Sequence, residues 1–134
     1  MIHICYTPPH SLDISGAPAE LLDLADRILK INGKVSPSFE LLACSACDPA
    51  PYQQLVPRLR VQVDSAPTCL TMAPGLLTIA GAQPNLEAVA EGIKNLAHGT
   101  SDGRHFHYEH YEGNQWISPA SIPAVISVQR WQCV

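Results

Sequence analysis

One pattern of residues occurs twice in this chain of 134 residues, 65 positions apart. At that offset seven pairs are identical without a gap: Leu12 and Leu77, Ile14 and Ile79, Gly16 and Gly81, Ala17 and Ala82, Leu21 and Leu86, Ala25 and Ala90, Ile28 and Ile93. An alternating apolar pair is typical of a half-buried strand, and the glycine after it permits a turn that other residues resist. The other matches have the spacing of one helix face. The pattern predicts two pseudo-repeats, about 1–65 and 66–134.

Each copy contains one segment with the period and the ends of an amphipathic helix. Pro18 and Pro84 lie near the first helical turn, where a missing N–H costs nothing. Gly33 and Gly99 follow the last periodic residues, as helix C-terminal glycines do. The two apolar stripes are Leu21, Leu24, Ala25, Ile28 and Leu29, and Leu86, Val89, Ala90, Ile93 and Leu96. We therefore expect two surface helices that cover a sheet.

Short apolar or alternating runs surround the helices and predict the strands. They are 2–6, 12–15, 39–43, 58–64, 68–72, 76–80, 104–112 and 124–128. Pro74 and Gly75 between two of them indicate a hairpin turn. The prediction is an α+β fold of internally duplicated ββαββ units, a mainly antiparallel sheet with two amphipathic helices packed on it. Because neither copy is large enough to bury a core alone, residues 1–134 are expected to form a single domain.

The composition narrows the classes of partner. Eight basic and twelve acidic residues give a net charge of −4, and no segment concentrates Lys or Arg, which disfavours nucleic acid. There is no run of about 18 apolar residues to span a membrane. The N-terminus lacks the charged start and long apolar stretch of a signal peptide. The expected location is the cytoplasm, where the five cysteines are most simply reduced thiols.

The segment around His105 holds the densest group of ionisable side chains. On a strand, His105, His107 and Glu109 share one face, and two imidazoles with one carboxylate form a known metal-binding set. The simpler interpretation is a strand whose core face is Phe106 and Tyr108 and whose other face is polar and wet. We favour that interpretation, because nothing else in the chain supplies a convincing further ligand. No metal or other cofactor is predicted.

The cysteines and serines give no catalytic motif. Cys44 and Cys47 form a Cys-x-x-Cys pair, but proline-rich loop residues follow it and a second such pair is missing. A zinc half-site stays open as the alternative to loop cysteines without assigned chemistry. Cys5, Cys69 and Cys133 are interpreted as small apolar residues in strands. There is no glycine-rich phosphate loop and no nucleophile elbow, so an enzyme is not predicted.

Trp116 is a large aromatic residue in an otherwise polar loop beside the histidines. It either caps one end of the core or anchors a protein–protein interface. The corresponding strand of the first copy, 39–43, is largely apolar, so the repeated architecture does not demand the histidines. We predict a partner-binding surface that comprises His105, His107, Glu109, Asn114 and Trp116.

Two stretches resemble the immunity protein 32 family of bacterial polymorphic toxin systems. They are Ser-Leu-Asp-Ile-Ser-Gly at 11–16 with its helix, and the run from His105 to Val128 that contains Gly-Asn-Gln-Trp-Ile-Ser-Pro. The resemblance implies a cytoplasmic antitoxin that binds a cognate toxin domain and blocks it, and it names no active site. Two alternatives stay open: a metal-binding protein or metal-dependent hydrolase that uses His105, His107 and Glu109, and a protein that self-associates through a strand edge as a homodimer.

Overall fold

The computed structural model describes residues 1–31, 37–99 and 103–133. It contains two helices and two sheets, so the α+β prediction is confirmed. The elements in chain order are β1 (His3–Thr7), β2 (Ser11–Gly16), α1 (Pro18–Leu29), β3 (Ser38–Leu42), β4 (Gln54–Leu55), β5 (Arg58–Val63), β6 (Cys69–Ala73), β7 (Leu76–Gly81), α2 (Gln83–Ala97), β8 (His105–Tyr108) and β9 (Ala124–Val128). The predicted helix-terminal Gly33 lies outside the described residues.

The sheets are mixed, and mostly antiparallel as predicted. The first sheet has the order β4-β1-β2-β9-β8 and the second has the order β3-β5-β7-β6. Within each sheet one pair is parallel, β2 with β9 and β5 with β7, and the other named pairs are antiparallel. The parallel pairs occupy the interior of the sheets, where both strand edges are hydrogen-bonded.

Each sheet combines strands from both predicted repeats. β1 and β2 pair onward to β9 and β8, whereas β6 and β7 pair onward to β5 and β3. The registers of the two parallel pairs match. Leu12 faces Ala124 and Leu77 faces Leu59, and Leu12 and Leu77, like Leu59 and Ala124, are 65 positions apart. Neither described sheet is therefore built from one half of the chain. The duplication itself stays a prediction. If it is correct, the two copies have combined their strands in both sheets.

The helices begin at matching positions and bury the predicted stripes. α1 begins at Pro18 and α2 at Gln83. Glu20 supports the start of α1, because its Oε1 accepts a hydrogen bond of 2.9 Å from the backbone N–H of Ala17. The buried helix residues are Leu21, Leu24, Ala25 and Ile28 in α1, and Leu86, Val89, Ala90, Ile93, Leu96 and Ala97 in α2. They join residues of both sheets in one hydrophobic cluster. Neither described helix could cross a membrane.

Gly16 and Gly81 are the last residues of β2 and β7, not turn residues. Among the described glycines only Gly75, Gly103 and Gly113 have positive φ, so the predicted turn role of the repeated glycines is wrong. Close approach explains Gly81 instead. A Cβ there would lie 2.7 Å from Oγ1 and 2.9 Å from Cα of Thr68. The hairpin prediction is confirmed, because Gly75 follows Pro74 between β6 and β7 with φ of 71°.

Candidate functional site

The histidine strand is shorter than predicted. β8 ends at Tyr108, which faces Ala124, the first residue of β9. Beyond that pair β9 offers no further partner, so the chain leaves the sheet and Glu109 does not share a strand face with the histidines. Phe106 and Tyr108 are half-buried against the core, as the simpler interpretation predicted. His105 and His107 are exposed.

The metal set proposed for this strand is not formed. The rings of His105 and His107 lie edge to face with centroids 5.4 Å apart, and Nδ1 of His105 is 3.1 Å from the carbonyl oxygen of Gly103. Among residues 1–31, 37–99 and 103–133, only one group of three or more His, Cys, Asp or Glu side chains has the geometry to hold a metal ion, and it lies elsewhere. The alternative of a metal site at His105, His107 and Glu109 therefore has no support from the geometry.

An open groove, which we call the aromatic groove, lies between α2, β8 and the loop after β8. Its volume is about 480 Å³, and its lining includes Ala88, Val89, Phe106, Tyr108, Tyr111 and Trp116. Tyr111 and Trp116 are 64% and 61% exposed. The exposure contradicts the interpretation of Trp116 as a cap on the core. Two large aromatic side chains instead form the rim of a largely apolar depression.

The backbone around Trp116 is held in place from both sides. Oδ1 of Asn114 accepts hydrogen bonds from the backbone N–H groups of Trp116 (2.8 Å) and Ile117 (3.3 Å). The loop also pairs with Thr68, whose N–H donates to the carbonyl of Trp116 at 2.8 Å. Asn114 is buried, so its side chain organises the loop, whereas the neighbouring Trp116 points to solvent.

A second groove, which we call the charged groove, lies between α1 and β3. Its volume is about 360 Å³, and it is lined by the N-terminus, Glu20, Asp23, Arg27, Leu41 and Leu42 among others. The N-terminal amine of Met1 forms an ion pair with Glu20. Leu42 at its edge is 67% exposed. This groove has an apolar edge like the first, but its helix wall carries formal charges.

A polar region separate from the two grooves lies across β1, β2 and β9. The hydroxyl of Ser127 donates to Asp13 at 3.3 Å, and the phenol of Tyr52 donates to the same carboxylate at 3.5 Å. Burial raises the pKa of Asp13 above its usual value. Opposite it in the register, Cys5 is buried, and burial raises the pKa of its thiol to about 11. A thiol with that pKa is almost fully protonated at neutral pH, so Cys5 is not an activated nucleophile.

Cys44 and Cys47, which were predicted to be loop cysteines, belong to a cluster of four side chains that was not predicted from the sequence. His3, Cys44, Cys47 and Cys133 place one ligand atom each within 4.8 Å of one another. Cys47 and Cys133 are joined as a disulfide with Cα atoms 5.1 Å apart. Cys133 lies outside any strand, so its interpretation as an apolar strand residue is wrong, whereas Cys5 and Cys69 do lie in β1 and β6.

His3 is the member of this cluster that sequence reasoning missed altogether. It is buried in β1, and its ring stacks on Trp131 with centroids 4.2 Å apart and planes 5° apart. Burial lowers its pKa, which keeps the imidazole neutral near pH 7. The signal present in the sequence was a Cys-x-x-Cys pair together with His3 and Cys133 close to the two chain ends.

The comparisons with known proteins bear on the aromatic groove. The model of the immunity protein 32 family matches residues 77–130. Searches of curated proteins and of solved structures found no match. The matched segment begins in β7, continues through α2 and β8, and includes every residue that lines the aromatic groove. Residues 77–130 are therefore similar to this family, as the resemblance predicted for the second of its two stretches.

Proposed function

We propose that this protein is a cytoplasmic immunity protein that binds a cognate toxin domain at the aromatic groove and neutralises it by occlusion. The observation that carries the proposal is the position of Tyr111 and Trp116. Both are large, exposed and on the rim of one apolar groove, and both lie in the segment that matches the family.

The groove has the physical character of a protein–protein hot spot. Tryptophan and tyrosine dominate the binding energy of interfaces, because each buries a large area at the cost of few rotatable bonds. The backbone beside Trp116 is already fixed by Asn114 and Thr68. Binding therefore does not have to order this loop, which lowers the entropic cost of association.

The polar residues around the groove supply a rim. His105, His107 and Glu109 are exposed at or beside the groove. Rim charges act mainly on the rate of association and on specificity. With a net charge of −4 and Glu109 at the rim, the protein favours a toxin surface that combines an apolar side chain for the groove with basic groups around it.

The chemistry of the other polar regions also favours a protein that binds its partner without catalysing a reaction. The thiol of Cys5 is protonated and is not an activated nucleophile, and the ring of His105 contacts the ring of His107 edge to face. Self-association is the other binding mode to test, because β8 forms one edge of the first sheet. A molar-mass measurement of the free protein by light scattering distinguishes a dimer from a monomer that awaits a toxin.

The experiment pairs this protein with a candidate toxin domain, to be sought in the reading frame next to its own. Co-expression should restore the growth of cells that produce the toxin domain, and calorimetry should show a stoichiometric complex. Trp116→Ala should weaken binding by about 2 kcal/mol or more while thermal stability is retained. Leu42→Ala is the matched control, because Leu42 is equally exposed but lies at the charged groove. Undiminished affinity in Trp116→Ala would contradict the assignment of the surface. Absence of any complex would contradict the function.

A further inference from the structure

The cluster of His3, Cys44, Cys47 and Cys133 has the composition and spacing of a metal site. Nε2 of His3 lies 3.2 Å from Sγ of Cys47 and 3.3 Å from Sγ of Cys133. Sγ of Cys44 lies 3.5 Å from Sγ of Cys47. We propose that, in the reduced protein, these four side chains bind one structural Zn²⁺ ion. The proposal does not depend on toxin binding.

The ligand atoms match zinc in kind and in separation. Three thiolates and one imidazole are a standard structural zinc set, and soft thiolates disfavour Mg²⁺ and Ca²⁺. With Zn–S bonds of about 2.3 Å and a Zn–N bond of about 2.0 Å, the edges of a tetrahedron are about 3.5–3.8 Å long. The three separations given above lie slightly inside that range. The sulfur atoms of Cys47 and Cys133 are bonded to each other and have to move apart after reduction, and the other ligand atoms already lie within 4.8 Å of one another. Four protein ligands leave no open position, so the site would be structural and not catalytic.

A disulfide accounts for only half of the cluster. The Cys47–Cys133 bond uses two sulfur atoms and leaves the thiol of Cys44 and the imidazole of His3 against it without a chemical role. A zinc ion uses all four groups at once. The Cys-x-x-Cys spacing of Cys44 and Cys47 is the spacing with which one loop supplies two zinc ligands. This step rests on the cytosolic location of the proposed function: thiol reductants of the cytosol supply the two electrons and two protons that open the Cys47–Cys133 bond, and both thiols are then available for the metal.

The surroundings of His3 are those of an oriented ligand. The ring is buried and stacked on Trp131, whose Nε1–H donates to Oγ of Ser15 at 2.9 Å. These contacts fix the ring plane while Nε2 points at the sulfur atoms. The four ligands come from β1, from the loop after β3 and from the C-terminal segment. One ion would thus fasten the loop and the C-terminal segment to the first sheet, and its binding energy would add to folding stability.

The test is the metal content of untagged protein purified with a reductant. Wild type should contain one zinc per chain by mass spectrometry of the elements. Cys44→Ser and His3→Ala should each lower the zinc content to less than a tenth of that value. Cys69→Ser is the matched control, because Cys69 is a free cysteine outside the cluster, and it should keep the full content. Wild type without zinc, or ligand variants that keep it, would overturn the proposal.

A second measurement on wild type covers the case in which the ligand variants fail to fold. Titration with an organomercurial should release one zinc per chain, detected with a metallochromic dye. A strong chelator should lower Tm, and Zn²⁺ but not Mg²⁺ should restore it. If no zinc is released, the intact mass is two hydrogens below the reduced value and peptide mapping places the disulfide at Cys47 and Cys133, the proposal is overturned.

Discussion

The aromatic groove and the charged groove occupy the same place in the two halves of the molecule. Each lies between a helix and the edge strand that follows it, α2 with β8 and α1 with β3. The helix residues that line them correspond at the offset of 65: Glu20 with Asn85, Asp23 with Ala88, and Leu24 with Val89. One wall is therefore charged and the other is not. The strand and loop on the opposite side add Leu41 and Leu42 to one groove and aromatic rings to the other.

The difference indicates which groove is available to a partner. In the charged groove Glu20 already binds the N-terminal amine and the N–H of Ala17. In the aromatic groove the side chains of Trp116 and Tyr111 are exposed and do not contribute to the core. Polar groups with internal partners stabilise the fold, whereas exposed aromatic rings have no such role. Function is thus best sought in the second half.

The largest expected effect tests whether the two halves are equally part of one core. Ile28→Ala and Ile93→Ala should each destabilise the protein by about 2–4 kcal/mol, because both side chains are fully buried. Chemical denaturation measures the change. Glu87→Ala on the exposed face should change stability by less than about 0.5 kcal/mol. A large effect at one isoleucine only would mean that one half contributes little to the core.

The next effect separates the two repeated glycines. Gly81→Ala should destabilise by about 1–3 kcal/mol, because its Cβ would overlap the backbone of Thr68. Gly16→Ala should be tolerated, since the nearest atoms to its Cβ lie 3.4 Å away on the side chain of Glu20. Thermal unfolding of the two variants checks the contrast. Equal destabilisation would show that both glycines are required by the strand ends and not by packing.

The smallest effect concerns the charges beside each groove. Glu109→Gln should slow association with the toxin domain a few-fold at low salt and much less at high salt, because a rim charge acts through long-range attraction. Asp23→Asn, at the charged groove, should leave the association rate unchanged. Stopped-flow kinetics at two salt concentrations measures both rates. The reverse pattern would place the toxin at the charged groove.

The elements and their buried faces could be predicted from the sequence because they depend on local periodicity. The apolar stripes around Ile28 and Ile93, and the turn at Gly75, follow from residue spacing and from the conformational freedom of glycine. The limits of β8 could not be predicted, since they depend on where β9 begins to offer a partner. The alternation of side-chain types in 104–112 continues past Tyr108, the last residue that pairs with β9.

Long-range pairing was the part that the sequence left undetermined. The apolar pattern of β2 fits β9 and other strands equally well, so the exchange of strands between the halves had to be observed. The same applies to His3 and Cys133, which meet although nearly the whole chain separates them. In the aromatic groove, Trp116 was identified from its unusual neighbours, whereas Tyr111 and the wall at Ala88 became visible only through the packing of α2 on β8.

Hydrogen–deuterium exchange of the protein, free and bound to its toxin domain, shows which groove the toxin covers. Binding at the aromatic groove should slow amide exchange in residues 105–117 and in the first turns of α2, which together form that groove. Exchange in β3 and the first turns of α1, which form the charged groove, should stay the same. Protection confined to the charged groove, with 105–117 unaffected, would mean that the toxin does not bind at the aromatic groove.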